Sequence, residues 1–422
     1  MKPTHFRWHI ILLLFLINIV NYIDRSSISF AVPLIKEEFA LSTSQIGLVL
    51  GAFGIGYVLT TLLGGLVADK IGARITYAVA VLVWSFAIGW TGAAVGFVTL
   101  YCARIVLGLA EGPTFPAHAR VVERWLPPNE RATAIAAALV AIPIALAVGA
   151  PAVSYLIDAV GWRVMFFILA GLGVLWLPIW LYFCRDFPSQ SRFTNEAERS
   201  LIGGDNRAGS AASNQVAEKS NWRVLLTTPT LLAGYWAYFV FGYLLFFLMT
   251  WLPEFLRTTY DLDITQIGWL AAIPWAASAL TLYAVGRWSD RLIDKSGSLR
   301  IARSYFIAGS QLIVAVAIIP LAFVHDLTVV IVCLSVAVSA ALGANPVFYA
   351  VIADIVPRQA GTCMGITNTG LAIAGFVAPV VTGFVLQETG GFSAAFWLIS
   401  LLAASSVIAV LIWHRPDKDA AR

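Results

Sequence analysis

The feature that most limits what this chain can fold into is a succession of long apolar runs. Each is near the roughly 20 residues that a helix needs to cross a bilayer. There are twelve: 8–33, 44–69, 75–95, 97–123, 131–158, 163–184, 229–257, 264–293, 302–323, 327–352, 361–388 and 391–413. Of the 422 residues 59% are hydrophobic and 12% charged, whereas a soluble domain is roughly half apolar and a quarter charged. No water-soluble core could absorb that much apolar surface. We therefore expect an all-α membrane protein of twelve transmembrane helices. An even number places both termini on one side. The first run is too long for the apolar part of a signal peptide and no small-residue cleavage site follows it, so no cleavable leader is expected.

Most connections are short. The exception is 185–228, with "SQSRFTNEAERSLIGGDNRAGSAASNQVAEKSN", which is polar and poor in apolar periodicity. It reads as a linker between an N-terminal six-helix bundle, 1–184, and a C-terminal one, 229–422. Of 27 Lys and Arg residues, Arg25 and Arg104 fall within spans and Lys36, Arg163 and Arg257 on the side away from the termini, leaving 22 on the side of the termini and linker. By the positive-inside rule that side is the cytoplasm.

A repeat supports the two halves. "SQIG" at 44–47 and "GLVADK" at 65–70 return as "TQIG" at 265–268 and "GRWSDR" at 286–291, both displaced by 221 residues. The first copy continues as "GGLVADKIGAR", with Gly65, Asp69, Lys70, Gly72 and Arg74 in a G-x-x-x-D-K-x-G-x-R pattern. Asp69 ends a helix where the dipole disfavours an anion, so it needs a partner. An ordinary charged turn would satisfy the first copy alone. Its return at Gly286, Asp290 and Arg291 favours a gate latch between the halves.

Ionisable side chains inside the spans carry the functional signal. Asp24 and Arg25 interrupt the first run in "NYIDRSS". Each charged group costs about 2.5–3.5 kcal/mol at a helix centre, so the two together cost on the order of 5–7 kcal/mol if unpaired. Asn18, Tyr22, Arg25 and Ser29 form one helical stripe, and Asp24 lies about 100° away from Arg25. Arg25 is therefore expected to line a cavity and Asp24 to face a neighbouring helix. The fourth run, "YCARIVLGLAEGPTFPAHARVVERW", adds Arg104 and Glu111, seven residues apart on nearly one face. Gly108 and Gly112 permit a close helix approach, and Pro113 and Pro116 a local opening. Two acids and two bases balance if they converge. They are then either a structural ion network or a site in which protonating one acid frees Arg25 for a substrate carboxylate.

Softer candidates are Tyr57 and Asn368, each either a ligand to a bound anion or packing, and Asn345 before Pro346. Tyr238 and Tyr243 are possible pocket walls in the aromatic seventh run. Cys102, Cys184, Cys333 and Cys363 read as buried small hydrophobes. The five histidines, His118 low on the fourth helix among them, form no metal or catalytic pattern. There is no phosphate-binding loop, so ATP-driven pumping is not supported. No enzyme activity, cofactor, metal or nucleic-acid partner is expected.

The twelve spans, the G-x-x-x-D-K-x-G-x-R turn and Arg104-x-x-x-Gly108 resemble the major facilitator superfamily. "NYIDRSSISFAVPLIKEEFALSTSQIG", "RIVLGLAEGPTFPA", "GWRVMFFILAG" and "TWLPEFL" resemble, more narrowly, its anion:cation symporter family, which holds sugar-acid and phthalate-type permeases and sialin-like carriers. The resemblance implies that Asp24 and Glu111 carry the coupled proton, and that Arg25 manages the substrate carboxylate with Tyr22, Tyr57 and Asn368 around it. Arg104 matches the superfamily's helix-four arginine. Helix five, "ALVAIPIALAVGAPAV", departs from sugar-acid members in offering only apolar residues and Pro143, which brings aromatic and short-chain carboxylates into range. The expected function is proton-coupled uptake of a small organic carboxylate by alternating access. The chain would work as a monomer in a bacterial inner membrane with both termini cytoplasmic. Two other classes stay open. An efflux carrier for amphipathic compounds would move neutral or cationic molecules independently of Arg25. A membrane sensor would bind ligand without turnover.

Overall fold

The computed structural model describes residues 2–203, 222–296, 298–356 and 359–419, leaving aside the side chains of 62, 63, 65, 66, 69, 132 and 283–296. Among the described residues there is helix and no strand. The first half comprises α1 (Phe6–Glu38), α2 (Thr43–Ile71), α3 (Ala73–Gly92), α4 (Phe97–Glu111), α5 (Thr114–Trp125) and α6 (Pro128–Phe183). Gly112 and Pro113 keep right-handed helical angles, so α5 continues α4 past a local break where proline removes a backbone donor. The 56-residue α6 is interrupted by Gly161 at φ 82°, ψ 160°, angles that glycine adopts without strain. This is the turn expected between runs 131–158 and 163–184.

After α7 (Glu196–Ile202) and α8 (Trp222–Thr227), the second half comprises α9 (Pro229–Tyr260), α10 (Ile264–Ser296), α11 (Tyr305–Ile318), α12 (Leu327–Gly343), α13 (Asn345–Ile355), α14 (Ala360–Thr389) and α15 (Ser393–Trp413). A π turn, Arg300–Ser304, leads into α11, and Pro416–Asp419 ends the described chain with a short helix, α16. Nine of the described helices are long and apolar enough to cross a membrane. Large apolar side chains cover their outer faces: Phe86 is 65% exposed, Leu175 67%, Leu280 78% and Leu401 64%. Water would not tolerate so much apolar surface, whereas lipid requires it.

The sequence repeat has a structural meaning. Ser42 and Gln45 form a reciprocal capping box at the start of α2, the Gln45 amide donating to Ser42 Oγ and the Ser42 amide to Gln45 Oε1. Asp263 and Gln266 make the same exchange at the start of α10. Two residues beyond each glutamine stands a glycine that meets the opposite half. A Cβ on Gly47 would come within 2.8 Å of the Pro379 carbonyl and 3.0 Å of Gly383 on α14, and one on Gly268 within 2.6 Å of Ser154 Oγ on α6. The halves thus meet along two seams, α2 with α14 and α6 with α10, on the side away from the termini. The Ser44 amide donates across the first seam to Gln387 Oε1 at 3.0 Å.

The span 185–228, expected as an unstructured linker, is partly built. Asn195 caps α7 by accepting from the Glu198 amide. Glu198 is fully buried and accepts from the backbone amides of Phe6 and Arg7, the Arg7 guanidinium and the Thr4 hydroxyl. Arg7 also holds Glu130 at the start of α6 through two bonds of 2.7 and 2.9 Å. The free amides at the start of α1 supply the partners that polarity alone did not foretell. Residues 204–221 lie outside the described part.

Candidate functional site

Glycine sets the depth of the site. A Cβ on Gly56 would collide with the Ile105 carbonyl, and one on Gly108 with the Phe53 carbonyl, so α2 and α4 approach backbone to backbone. That approach brings Phe53 and Tyr57 over the residues of α1 and α4 that carry charge. The Arg25 guanidinium carbon lies 4.7 Å from the ring centre of Tyr22, 4.6 Å from Phe53 and 5.0 Å from Tyr57. Three ring faces around one cation offset part of its lost hydration.

Glu111 supplies the counter-charge. Arg25 donates to its Oε2 through Nε at 3.0 Å and Nη2 at 2.6 Å, and Nη2 reaches Asn21 Oδ1 at 3.3 Å. Glu111 is 0% exposed and Arg25 7%. Arg104, also buried, donates to the Arg25 carbonyl at 3.4 Å and lies 5.4 Å from the Phe53 ring centre. It therefore braces the α1 backbone instead of pairing with an acid. Asp24 is 0% exposed, and among the described residues neither carboxylate oxygen has a hydrogen-bond partner. The four ionisable groups are close in the fold, but they make one direct ion pair rather than two.

A central cavity of about 70 Å³ opens beside this pair. Arg25, Tyr22 and Tyr57 line it from the first half and Asn368 from the second, so it brings together the four residues expected around a substrate carboxylate. Asp24 is not among its lining residues.

The second half presents a chain of hydrogen bonds. Tyr238 donates to Asn345 Oδ1 at 3.3 Å, its hydroxyl meets that of Tyr349 at 2.8 Å, and Tyr349 donates to Asn368 Oδ1 at 3.1 Å. Asn345 is thus part of the cavity wall and not a local carbonyl partner. Tyr349 escaped the sequence reading although its spacing of four from Asn345 puts both on one helical face. Tyr243 does not line the cavity.

The latch residues are only partly in view. The side chains of Gly65, Asp69, Asp290 and Arg291 lie outside the described part, and Lys70 is exposed. Arg74 turns within its own half: its amide donates to Asp186 Oδ1 at 3.1 Å and its guanidinium to the Leu181 carbonyl at 2.6 Å. Gly72, at φ 88°, makes the tight turn that lets it do so. Among the described residues no group of three or more His, Cys, Asp or Glu side chains could hold a metal.

A sequence model of the Major Facilitator Superfamily matches residues 14–296 and 235–422. The chain belongs to the major facilitator superfamily. It is 32% identical over 414 residues to a hexuronate transporter of Bacillus subtilis, covering 96% of this chain and 94% of that one. It is 33% identical over 418 residues to a probable sulfoacetate transporter of Cupriavidus necator, again covering 96% and 94%. A solved bacterial homologue of the human lysosomal transporter Spinster superimposes with a TM-score of 0.73 at 18% identity, covering 99% of this chain and 97% of that one. This member of the superfamily is a multi-pass membrane protein and a secondary transporter of organic acids, not an enzyme. The two glycine seams join its halves, and residues of both halves line the charged cavity.

Proposed function

We propose that this transporter is a proton-coupled symporter that takes up a small organic carboxylate across a bacterial inner membrane, with both termini cytoplasmic. Its units are 1–184 and 229–422, joined by 185–228, and it alternates access between them as a monomer in lipid. The observation that carries this reading is the buried Arg25–Glu111 pair at the wall of the central cavity, with Asp24 unpartnered behind it. The names of the relatives, carriers of a sugar acid and of a small sulfonated acid, support the substrate class.

The mechanism follows from competition for one guanidinium. A substrate carboxylate that reaches Arg25 takes the place of Glu111 Oε2. Glu111, released into a site with no other direct cationic partner, is neutralised by a proton, because an unpaired buried charge is the costlier alternative. Anion and proton therefore enter together, and each raises the affinity of the other by the same factor. Tyr22, Tyr57 and Asn368 offer hydroxyl and amide groups to the bound acid, and Arg104 fixes the α1 backbone at Arg25. The Gly65, Asp69, Lys70, Arg74, Asp290 and Arg291 set acts at the cytoplasmic gate.

Uptake into proteoliposomes under an imposed pH gradient tests this. Asp24→Asn and Glu111→Gln are expected to retain substrate exchange at equilibrium but to lose accumulation against a gradient. Normal accumulation by either variant would remove that residue from coupling. Transport of neutral or cationic molecules untouched by Arg25→Ala would point to the efflux reading instead. Binding without any uptake would point to a sensor.

A further inference from the structure

One polar group in the central cavity is used by nothing described so far. His118, on α5, lines the cavity and is 3% exposed, and among the described residues neither Nδ1 nor Nε2 has a hydrogen-bond partner. Of the other polar lining groups, Asn21 Nδ2 also has no hydrogen-bond partner among the described residues, and Tyr22 and Tyr57 stand with Arg25 at the proposed carboxylate site, while the rest are held. Arg25 is held by Glu111 and Asn21, the Thr114 hydroxyl by the Glu111 carbonyl, and the second-half tyrosines and asparagines by one another. A buried imidazole facing a cavity with both nitrogens unbonded is a donor and an acceptor awaiting a ligand.

Its place says which part of a ligand it meets. His118 follows Glu111 by seven residues, about 10 Å along the helix axis and on nearly the same face, toward the side of the termini. A carboxylate at Arg25 therefore has His118 beyond its far end. The α6 residues that line the cavity, Ala138, Leu139 and Ile142, are apolar and offer a distal oxygen nothing.

We infer that His118 is the specificity-determining residue for the distal end of the substrate, and that the acids this transporter prefers carry a second oxygen function, a hydroxyl or a second acid group, which hydrogen-bonds the imidazole while the carboxylate binds Arg25. This rests on the assignment of Arg25 to the carboxylate. A substrate lacking the distal group leaves His118 unpartnered, which is the kind of loss that discriminates strongly. The imidazole thus takes over, from α5, the hydrogen bonding that α6 does not supply.

The test uses the purified full-length chain in lipid nanodiscs and matched acids differing only at the far end: hexanoate with 6-hydroxyhexanoate and adipate, acetate with sulfoacetate, and cyclohexanecarboxylate with 4-hydroxycyclohexanecarboxylate. Affinities are measured by calorimetry for wild type, His118→Leu, His118→Gln and Arg25→Ala. In at least one set the wild type is expected to prefer the bifunctional acid by roughly tenfold or more. His118→Leu should reduce that preference to within about twofold while leaving affinity for the plain acid unchanged, and His118→Gln, which keeps a donor and an acceptor, should restore most of it. His118→Met replaces His118→Leu if the latter does not fold. A preference that survives the apolar variant, or a wild type that never prefers the bifunctional member, overturns the role of His118 while the Arg25 site stands. Acids that bind Arg25→Ala as well as wild type, or a panel that does not bind at all, overturn the carboxylate site and this inference with it.

Discussion

On the proposed mechanism the buried Arg25–Glu111 pair would be functional as well as structural. Neither can be lost alone without leaving the other buried and unpaired, which costs about 3–5 kcal/mol. Replacing both with apolar residues of similar volume removes two desolvation penalties as well as the attraction. We therefore expect Arg25→Leu and Glu111→Leu each to lower the unfolding free energy by about 3–5 kcal/mol, and the double variant to recover most of that loss, in a double-mutant cycle read by thermal melting in detergent. Transport should be absent in all three. Equal destabilisation by the double variant would mean that the pair is needed for folding itself. The sequence made these residues legible because ionisable groups within an apolar run stand out, and the 3.6-residue period already separated Asp24 from Arg25. Their pairing was not legible. Only the geometry shows that Arg104 serves a backbone carbonyl and not Glu111. Tyr349 was missed, and His118 was noted only as part of no metal or catalytic pattern, for a related reason, since a single polar residue carries no signal until a cavity is known to face it.

The elements were clear from apolar length alone, and their ends were fixed by local chemistry that the alphabet shows directly. Capping boxes begin α2 and α10, proline opens α6 and α9, and glycine makes the turn within α6. What composition hid was α7, whose order comes from a contact nearly 200 residues distant in the chain. Burial disfavours the charge of Glu198, but hydrogen bonds from Thr4, Arg7 and the Phe6 amide outweigh it and hold its carboxyl below the usual range. A group whose folded value is depressed gives stability that is present above its unfolded value, near 4.3, and is lost as pH falls through the folded one. Docking of α7 should therefore be firm at neutral pH and loosen in acid below about pH 4. At pH 7 Glu198→Gln should weaken the docking by on the order of 2 kcal/mol, seen as faster amide exchange in 196–202 and at the start of α1. Unchanged exchange in the variant would show that α7 is held by its apolar contacts instead.

At the scale of the whole molecule, the contacts described between the halves lie on the side away from the termini, and glycine makes them. A larger residue at Gly47 cannot be accommodated by rotating a side chain, because its neighbours there are the backbone atoms of Pro379 and Gly383. Gly47→Leu is expected to part α2 from α14. Spin labels at positions 44 and 387, which are bonded across this seam, should then show a longer and broader distance distribution than in the parent. An unaltered distribution would mean that the seam yields elsewhere. Gly268→Leu should give the same result at the α6–α10 seam. The repeat "QIG" pointed to duplicated halves, but that its glycine is a point of contact with the other half is visible only once both are folded. Where Gly47 and Gly383 touch through bare main chain few methyl groups lie between the helices, so drawing them apart at that point wets little oil. On the proposed alternating-access reading, outward and inward forms would then stay close in energy, and a ligand that binds one form better than the other would shift their balance.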